Sequence, residues 1–334
     1  MILKRYQTDT LNVIKTFFDA LDTKSPSEAY QAVTAPIERQ MRLGKQRGYV
    51  KTALDTPTVA IKVPTGGGKT IIAAHAVKVI AECQGREFPL VIWFAPTDTI
   101  RRQTAEALKA PRHPYRQALD EAFRGNVRIY DLEEITTMNV SDMESNACIV
   151  VATEQAFVKR AKEKYNVYRH CEDFEPHFAT IRLEDGMDAQ EENPAAPKFS
   201  FVNLAHSRRP IVIVDEAHKM TSELSRETLT RLNPSAVLGL TATPDEGNNT
   251  LYSVHAKELF DEEMIKLPIE LTEFRDQWEQ AVFAAIAKRQ ELETIADKEL
   301  VQGKGGYLRP LVLFQATKVN GDVPVDKLRT SGRR

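Results

Sequence analysis

The chain has 334 residues, a formal net charge of −2, a pI near 6.4 and a hydrophobic fraction of 42%. This length accommodates one large α/β core with an appendage, and the near-neutral charge supplies no overall field that would attract the chain to nucleic acid. No apolar run reaches the roughly 18 residues of a membrane span, and the three cysteines are too widely spaced for a disulfide framework. These features exclude a membrane protein or a disulfide-stapled secreted domain and predict a cytoplasmic location.

A glycine-rich loop joins the first predicted strand, residues 59–63, to a helix that begins near residue 71. Its glycines let backbone N–H groups turn inward around an anion, and the helix start adds its dipole at the same place. Lys69 is expected to reach the β- and γ-phosphates of ATP, and the Thr70 hydroxyl to bind Mg²⁺. The remaining residues of this predicted phosphate cradle are Thr65, Gly66, Gly67 and Gly68.

Two adjacent carboxylates follow another apolar, β-branched run, residues 211–214. A buried strand that ends in such a pair places both groups at one edge of a sheet. Asp215 is then expected to hold Mg²⁺ through water, and Glu216 to orient and deprotonate the attacking water. The alternative is a solvated acidic pair that opens a helix. The phosphate loop upstream favours the catalytic interpretation.

Further strand-like runs alternate with helical stretches along the chain, and this alternation predicts an α/β fold with a parallel sheet and helices on both faces. These runs are residues 90–95, 127–130, 148–152, 237–240 and 311–314. The turn that carries Thr241 and Thr243 follows the fourth of them. By itself this turn is ordinary loop chemistry.

Two segments interrupt the alternation. Residues 162–208 form a long interval whose middle is polar, which predicts an insertion with a mobile loop and no assigned role. Residues 272–302 carry apolar side chains every four residues, which predicts an amphipathic C-terminal helix that packs on the core or docks a partner. The predicted domains are therefore residues 1–270, with the insertion, and residues 271–334.

The order of three segments, residues 64–70, 215–218 and 241–243, resembles the N-terminal RecA-like motor domain of DEAD/DEAH-box helicases of superfamily 2. Members of that superfamily commonly have no glycine at the position of Val63, which the general phosphate-loop pattern requires. In detail the chain is most similar to the helicase (Res) subunits of type III restriction enzymes. The similar stretches are Val-Pro-Thr-Gly-Gly-Gly-Lys-Thr, Asp-Glu-Ala-His-Lys and the segment 309–316.

The resemblance implies roles for residues that the sequence alone leaves open. Gln7, just before the first predicted helix, would read the adenine edge of ATP. A coupling role between hydrolysis and domain movement falls to His218, Thr241 and Thr243. Contacts with the nucleic-acid backbone, which position a strand without reading its sequence, fall to Pro96, Thr97, Arg101, Arg102 and Thr153. For the two arginines, a solvated helix face is the alternative.

Helicases of this superfamily complete the ATP site with arginines from a second RecA-like domain. No Gln-x-x-Gly-Arg-x-x-Arg pattern follows Phe314, and residues 311–314 resemble only the strand that opens such a domain. We therefore expect this chain to bind ATP and Mg²⁺ but to hydrolyse ATP weakly by itself, because arginine fingers contribute about 10³–10⁵ in rate.

The resemblance also implies partners for the chain. They are nucleic acid, with DNA favoured over RNA in restriction or phage defence, and a second motor domain or a modification or nuclease subunit. The alternative is a binding module for nucleic acid or a protein partner that responds to ATP without significant hydrolysis. A metabolic phosphate-loop enzyme is disfavoured, because Thr241 and Thr243 are present and no constellation for a small substrate is seen.

Overall fold

The computed structural model describes residues 2–38, 43, 48–51, 55–157, 167–217, 223–245, 247–264, 278–303 and 309–314. The chain divides into two compact units, Met1–Leu267 and Pro268–Arg334. The sequence prediction placed this division after residue 270. The first unit contains the sheet and every candidate site residue.

A seven-stranded sheet, in which all neighbouring strands are parallel, forms the centre of the first unit. The strands are β1 Thr58–Lys62, β2 Leu90–Ala95, β3 Val127–Asp131, β4 Ala147–Thr153, β5 Ile211–Asp215, β6 Ala236–Thr241 and β7 Thr250–Ser253. Their order across the sheet is β3-β4-β2-β5-β6-β1-β7. The predicted RecA-like α/β architecture is confirmed, and six strands lie where the apolar runs placed them.

Two hydrophobic cores lie on opposite faces of this sheet. Along β2, Val91 and Trp93 belong to the first core, whereas Leu90, Ile92 and Phe94 belong to the second. Successive side chains of a strand point to opposite faces, so both faces of β2 are covered. This explains why the central strands are continuous apolar runs instead of alternating polar and apolar residues.

The helices of the first unit complete these two cores. Buried residues of the first core come from α1 Arg5–Ala20, α2 Pro26–Glu38, α3 Lys69–Cys83, α4 Asp98–Lys109, α5 Pro114–Ala122 and α9 Ala256–Asp261. Those of the second core come from α6 Val140–Ser145, α7 Phe201–Arg208, α8 Glu223–Leu232 and the 3₁₀ helices Leu132–Thr137, Glu154–Phe157 and Glu172–Phe178. Helices on both faces of a parallel sheet were predicted.

The described part of the predicted insertion packs into the second core through Val167, Phe174 and Phe201, which are all buried. Its polar middle is fixed by side chains that bond the backbone. The Asn203 amide donates to the carbonyl oxygens of Asp188 and Lys198 and accepts from the Asp188 N–H. The segment predicted as a mobile loop is therefore tied to α7 by hydrogen bonds.

The second unit contains the helix α10, Trp278–Val301, as predicted. Its apolar side chains are largely exposed, with 58% for Trp278 and 70% for Phe283. The strand predicted at residues 311–314 is not formed: Leu311 and Leu313 are 85% and 91% exposed. A strand needs a neighbour for its backbone hydrogen bonds, and the described residues of this unit form no other strand. Among the helices in the described ranges, none combines the length and the apolar character that crossing a bilayer requires.

Candidate nucleotide site and nucleic-acid surface

The parallel sheet gathers the predicted site residues at one edge. Every strand ends at the same side, where ligands of open α/β sheets bind. Thr241 ends β6 and pairs with Lys62 of β1, immediately before the phosphate loop. Asp215 ends β5 and pairs with Leu240 of β6. Three motifs far apart in sequence thus meet on three neighbouring strands.

The phosphate loop follows β1 and enters α3 through a left-handed residue, Gly68, with φ +74°. Glycine adopts this conformation without the steric cost that a side chain adds. At Gly67 the reason for glycine is space: an added Cβ would lie 2.6 Å from Val63 Cγ1 and 3.0 Å from the Pro64 carbonyl oxygen. Val63, which departs from the general pattern, is buried under this loop. Gly67 therefore accommodates the valine.

Three backbone donors at the start of α3 have no acceptor among the described residues. The N–H groups of Gly68, Lys69 and Thr70 donate no hydrogen bond within the described part of the chain. The first N–H groups of a helix have no partner inside the helix, and they carry the positive end of its dipole. This arrangement suits a phosphate anion.

Lys69 and Glu216 form an ion pair at the centre of the site. Lys69 Nζ lies 2.7 Å from Glu216 Oε1, and the two side chains are 13% and 26% exposed. Glu216 has φ +58°, a left-handed conformation that is uncommon outside glycine. Residues with such uncommon backbone conformations occur often at active sites. At Glu216 this conformation gives the side chain a direction that a continued β-strand would not give it.

The charge of the half-buried Asp215 carboxylate is only partly compensated by Lys69 and the Glu216 backbone N–H. Its Oδ1 atom is buried and has no hydrogen-bond partner among the described residues. Burial, and then the neighbouring charge of Glu216, raise the pKa of the Asp215 carboxyl. A buried carboxylate oxygen without a partner is costly unless a cation compensates it. The residues therefore fit a divalent cation held by Asp215 and the Thr70 hydroxyl, because oxygen donors are the ligands that Mg²⁺ prefers.

The start of α1 lies against the phosphate loop. The Tyr6 hydroxyl donates to the Gly67 carbonyl oxygen over 2.8 Å, and Gln7 Nε2 donates to the Tyr6 hydroxyl over 3.4 Å. A Cβ on Gly68 would meet Gln7 Nε2 at 2.7 Å. The structure thus brings the predicted adenine reader to the loop that is 60 residues away in sequence. Sequence reasoning gave Tyr6 no contact with this loop.

The predicted coupling residues lie beside the acidic motif. Thr241 is fully buried, and its Oγ1 accepts a hydrogen bond from the Thr243 N–H over 3.1 Å. Two residues earlier, a Cβ on Gly239 would lie 2.6 Å from Ala217 Cβ, so the acidic motif packs directly on β6. His218 lies outside the described residues.

The predicted nucleic-acid contacts occupy the ends of β2 and β4. Pro96 follows β2, and Thr97 is the N-cap of α4, where its hydroxyl accepts from the Ile100 N–H over 3.3 Å. Thr153 ends β4, the strand next to β2. The side chain of Arg102 is 63% exposed, although it lies 3.1 Å from Asp98 Oδ2.

Arg101 differs from its neighbour on α4. Its side chain is only 4% exposed and forms ion pairs with Asp98, at 2.8 Å, and with Asp131 at the end of β3. In this arrangement its guanidinium holds α4 to the sheet and presents no surface to a nucleic acid. Both sequence interpretations, a phosphate ligand and a solvated helix face, miss this buried position.

Residues 1–246 match the family model described as type III restriction enzyme, res subunit. No protein among the curated proteins gives a match.

Two solved structures resemble the chain at low identity. A nuclease-deletion mutant of the Type ISP restriction-modification enzyme LlaGI, in complex with a DNA substrate mimic, is 12% identical over 90% of this chain and 24% of that chain, with a TM-score of 0.39. The UvsW helicase from bacteriophage T4 is 14% identical over 59% of this chain and 53% of that chain, with a TM-score of 0.29. The matched part of this chain thus corresponds to 24% of the first protein and 53% of the second.

Proposed function

Because the chain belongs to the family of type III restriction enzyme res subunits, we propose that it is an ATP-dependent motor domain that acts on nucleic acid, with DNA as the favoured substrate. The observation that carries the proposal is the grouping of Lys69, Glu216 and an Asp215 oxygen beside the start of α3, where neither this oxygen nor the N–H groups have a partner in the described part of the chain. These groups match a triphosphate, a water nucleophile and a divalent cation.

In the proposed reaction, the N–H groups at the start of α3 bind the phosphates, and Lys69 neutralises the charge that develops on the transferred phosphoryl group. Glu216 accepts a proton from the attacking water as its oxygen bonds the γ-phosphorus, while the bond from phosphorus to the β–γ bridging oxygen breaks and ADP leaves with that electron pair. Asp215 and the Thr70 hydroxyl would hold Mg²⁺. When bound, the cation neutralises phosphate charge. Gln7, whose buried amide bonds Lys4 and Tyr6 in this structure, would select adenine by turning that amide toward the base edge.

The proposed path of the nucleic-acid backbone crosses the ends of β2 and β4. Pro96, Thr97 and Thr153 would contact phosphates through hydroxyl and backbone groups, and Arg102 would add a charge at the exposed face of α4. Within the described residues, Thr241 and Thr243 would transmit hydrolysis to this surface. We propose a second motor domain, or a modification or nuclease subunit, as a further partner, and a cytoplasmic location.

A binding module that responds to ATP without hydrolysing it is the second candidate. The observation that favours it is the 2.7 Å contact between Glu216 and Lys69, because the Lys69 ammonium then occupies the carboxylate oxygen that would receive the proton of water. In that case ATP would alter nucleic-acid affinity while remaining intact.

ATP turnover by the purified chain distinguishes the two candidates. It is measured with and without single- and double-stranded DNA and RNA, for the wild type, Glu216→Gln and a control, Glu291→Gln, that removes a carboxylate paired with Lys288 on α10. Turnover that nucleic acid stimulates and that only Glu216→Gln abolishes supports the motor. Equal turnover in all three proteins, with ATP-dependent binding of nucleic acid, supports the binding module. A chain that binds no ATP contradicts both.

A further inference from the structure

Tyr6 is buried at the contact between α1 and the phosphate loop. It is 1% exposed and belongs to the first core, together with Val63 and Leu259 around the loop. Burial raises the pKa of the Tyr6 hydroxyl, so this group stays protonated and remains a hydrogen-bond donor. Its acceptor is a backbone carbonyl, Gly67 O, at 2.8 Å.

This hydrogen bond fixes the orientation of one peptide in the phosphate loop. In a trans peptide the C=O and the following N–H point in opposite directions. The Gly67 carbonyl points to Tyr6, so the Gly68 N–H points away from Tyr6 and has no acceptor within the described chain. The Gly67 N–H is also held, because it donates to the Pro64 carbonyl over 3.0 Å. Both polar groups of Gly67 are therefore restrained.

Gln7 connects to the same hydrogen bond from the other side. It is fully buried, its Oε1 accepts from the Lys4 N–H over 3.0 Å, and its Nε2 donates to the Tyr6 hydroxyl over 3.4 Å. Tyr6 thus accepts from Gln7 and donates to Gly67. A movement of the Gln7 amide therefore changes the hydrogen bonding of the Tyr6 hydroxyl, and this hydroxyl restrains the phosphate loop.

We propose that Tyr6 is a positioning residue that sets the phosphate loop through the Gly67 carbonyl and links the seating of Gln7 to phosphate binding. The inference rests on the proposed function, since it assigns an effect on binding of a triphosphate. The inference differs from adenine recognition, because it requires Tyr6, a residue of α1, to affect the binding of a triphosphate that carries no adenine.

The test measures dissociation constants of ATP and of inorganic tripolyphosphate, with Mg²⁺, for the wild type, Tyr6→Phe and Gln7→Leu. Phenylalanine leaves the Gly67 carbonyl without its donor, so we expect Tyr6→Phe to weaken both ligands by about 5- to 30-fold. Gln7→Leu is expected to weaken tripolyphosphate as well as ATP, and ATP by the larger factor.

Tyr168→Phe is the matched control. Its hydroxyl is buried in the second core and donates to the Phe157 carbonyl over 2.9 Å, so the variant loses an equivalent bond on the other face of the sheet. We expect it to lower the thermal midpoint about as much as Tyr6→Phe while leaving both dissociation constants unchanged.

The outcomes separate this inference from the proposed function. The positioning role alone is overturned if the wild type binds both ligands and the dissociation constants of Tyr6→Phe equal those of the wild type or of Tyr168→Phe. If Tyr6→Phe weakens ATP binding but leaves tripolyphosphate binding unchanged, Tyr6 acts on the adenine. This result also overturns the positioning role. If the wild type binds neither ligand, the proposed function fails and the inference fails with it.

Discussion

Lys69 Nζ lies 2.7 Å from Glu216 Oε1, so the cation expected to bind phosphate is paired with the carboxylate expected to activate water. Lys69 has one ammonium group for both tasks. Phosphate oxygens and Glu216 therefore compete for it, and binding of ATP would weaken the pair. Release of Glu216 from Lys69 would then let the attacking water reach the carboxylate oxygen that Lys69 occupies in this structure.

This competition predicts opposite effects of Glu216→Gln on binding and on turnover. An amide pairs less strongly with Lys69, so we expect ATP to bind about two- to fivefold more tightly, as for a pair worth about 0.5–1 kcal/mol. Loss of the base is expected to lower turnover by about 10²–10⁴. Calorimetry and single-turnover hydrolysis measure the two effects. Weaker binding in this variant would contradict the competition, and Glu291→Gln should alter neither quantity.

Gly239 permits the acidic motif to approach β6, and its replacement gives a second prediction. A Cβ at this position would lie 2.6 Å from Ala217 Cβ, well inside van der Waals contact. Overpacking of this kind costs about 1–3 kcal/mol, so we expect Gly239→Ala to lower the free energy of unfolding by that amount and to reduce ATP turnover.

A second substitution identifies the cause of the Gly239→Ala effect. Ala217→Gly removes the opposing methyl, and we expect the double variant to regain most of the stability and the turnover lost in Gly239→Ala. Denaturant unfolding and turnover of both single variants and the double variant form the cycle. Additive losses in the double variant would show that this contact is not the cause.

Features that are local in sequence could be predicted, whereas features that depend on tertiary contacts could not. Six strands were found because buried parallel strands are continuous apolar, β-branched runs. β7, Thr250–Ser253, was missed because it has only four residues and two polar members. Residues 311–314 have the composition of a strand, but pairing with a neighbour is a tertiary property that composition does not supply.

The candidate nucleotide site shows the same difference between local and tertiary features. Lys69, Thr70, Asp215 and Glu216 could be predicted because each lies at the end of a strand or follows one at a characteristic spacing. The contact of Tyr6 with Gly67 joins residues 61 positions apart and leaves no sequence signal. The resemblance gave Gln7 a role at the adenine, but the hydrogen bond from Tyr6 to the phosphate loop is found only once the fold brings α1 to that loop.

Histidine protonation gives a prediction of stability against pH. His177 is buried, its Nε2 lies 2.9 Å from the Met138 carbonyl, and its Nδ1 has no partner among the described residues. Burial lowers the pKa of His177; Arg208 adds to this effect, while the Met138 carbonyl, Asp142 and Glu144 oppose it. The unfolded chain, with a histidine pKa near 6.5, therefore binds the proton more readily than the folded chain.

Stability is retained above about pH 6.5 and falls as the pH decreases below it, with a slope of up to about 1.4 kcal/mol per pH unit from this residue. We expect His177→Gln, which keeps a donor for the Met138 carbonyl, to show a shallower loss of unfolding free energy between pH 6.5 and 5. Denaturant unfolding across this range measures it. Equal slopes in both proteins would contradict the assignment.

Arg101 and Arg102 are neighbours on α4 whose substitution should have different consequences. The two side chains are 4% and 63% exposed, and Arg101 is paired with Asp131 whereas Arg102 faces solvent beside Asp98. Sequence could not separate them, because consecutive helical residues point about 100° apart and only the fold decides which direction is buried.

The salt dependence of nucleic-acid binding distinguishes a phosphate ligand from a structural residue. Each phosphate contact contributes about 0.7 to 0.9 to the slope of log affinity against log salt concentration. We expect Arg102→Gln to reduce the slope by about this amount with little effect on stability. Arg101→Gln removes the cation beside Asp131, which keeps its backbone hydrogen bond from the Leu132 N–H, so we expect it to cost about 1–3 kcal/mol of unfolding free energy and to leave the slope unchanged.

Asp131→Asn completes the comparison, because it weakens the anchor of Arg101 without removing a cation. If Arg101 is structural, this variant should lose stability as Arg101→Gln does and keep the wild-type salt slope. A reduced slope in Arg101→Gln, together with full stability, would instead show that the guanidinium leaves Asp131 and binds phosphate. The pair with Asp131 would then be a resting contact that nucleic acid displaces, and Arg101 would return to the nucleic-acid surface.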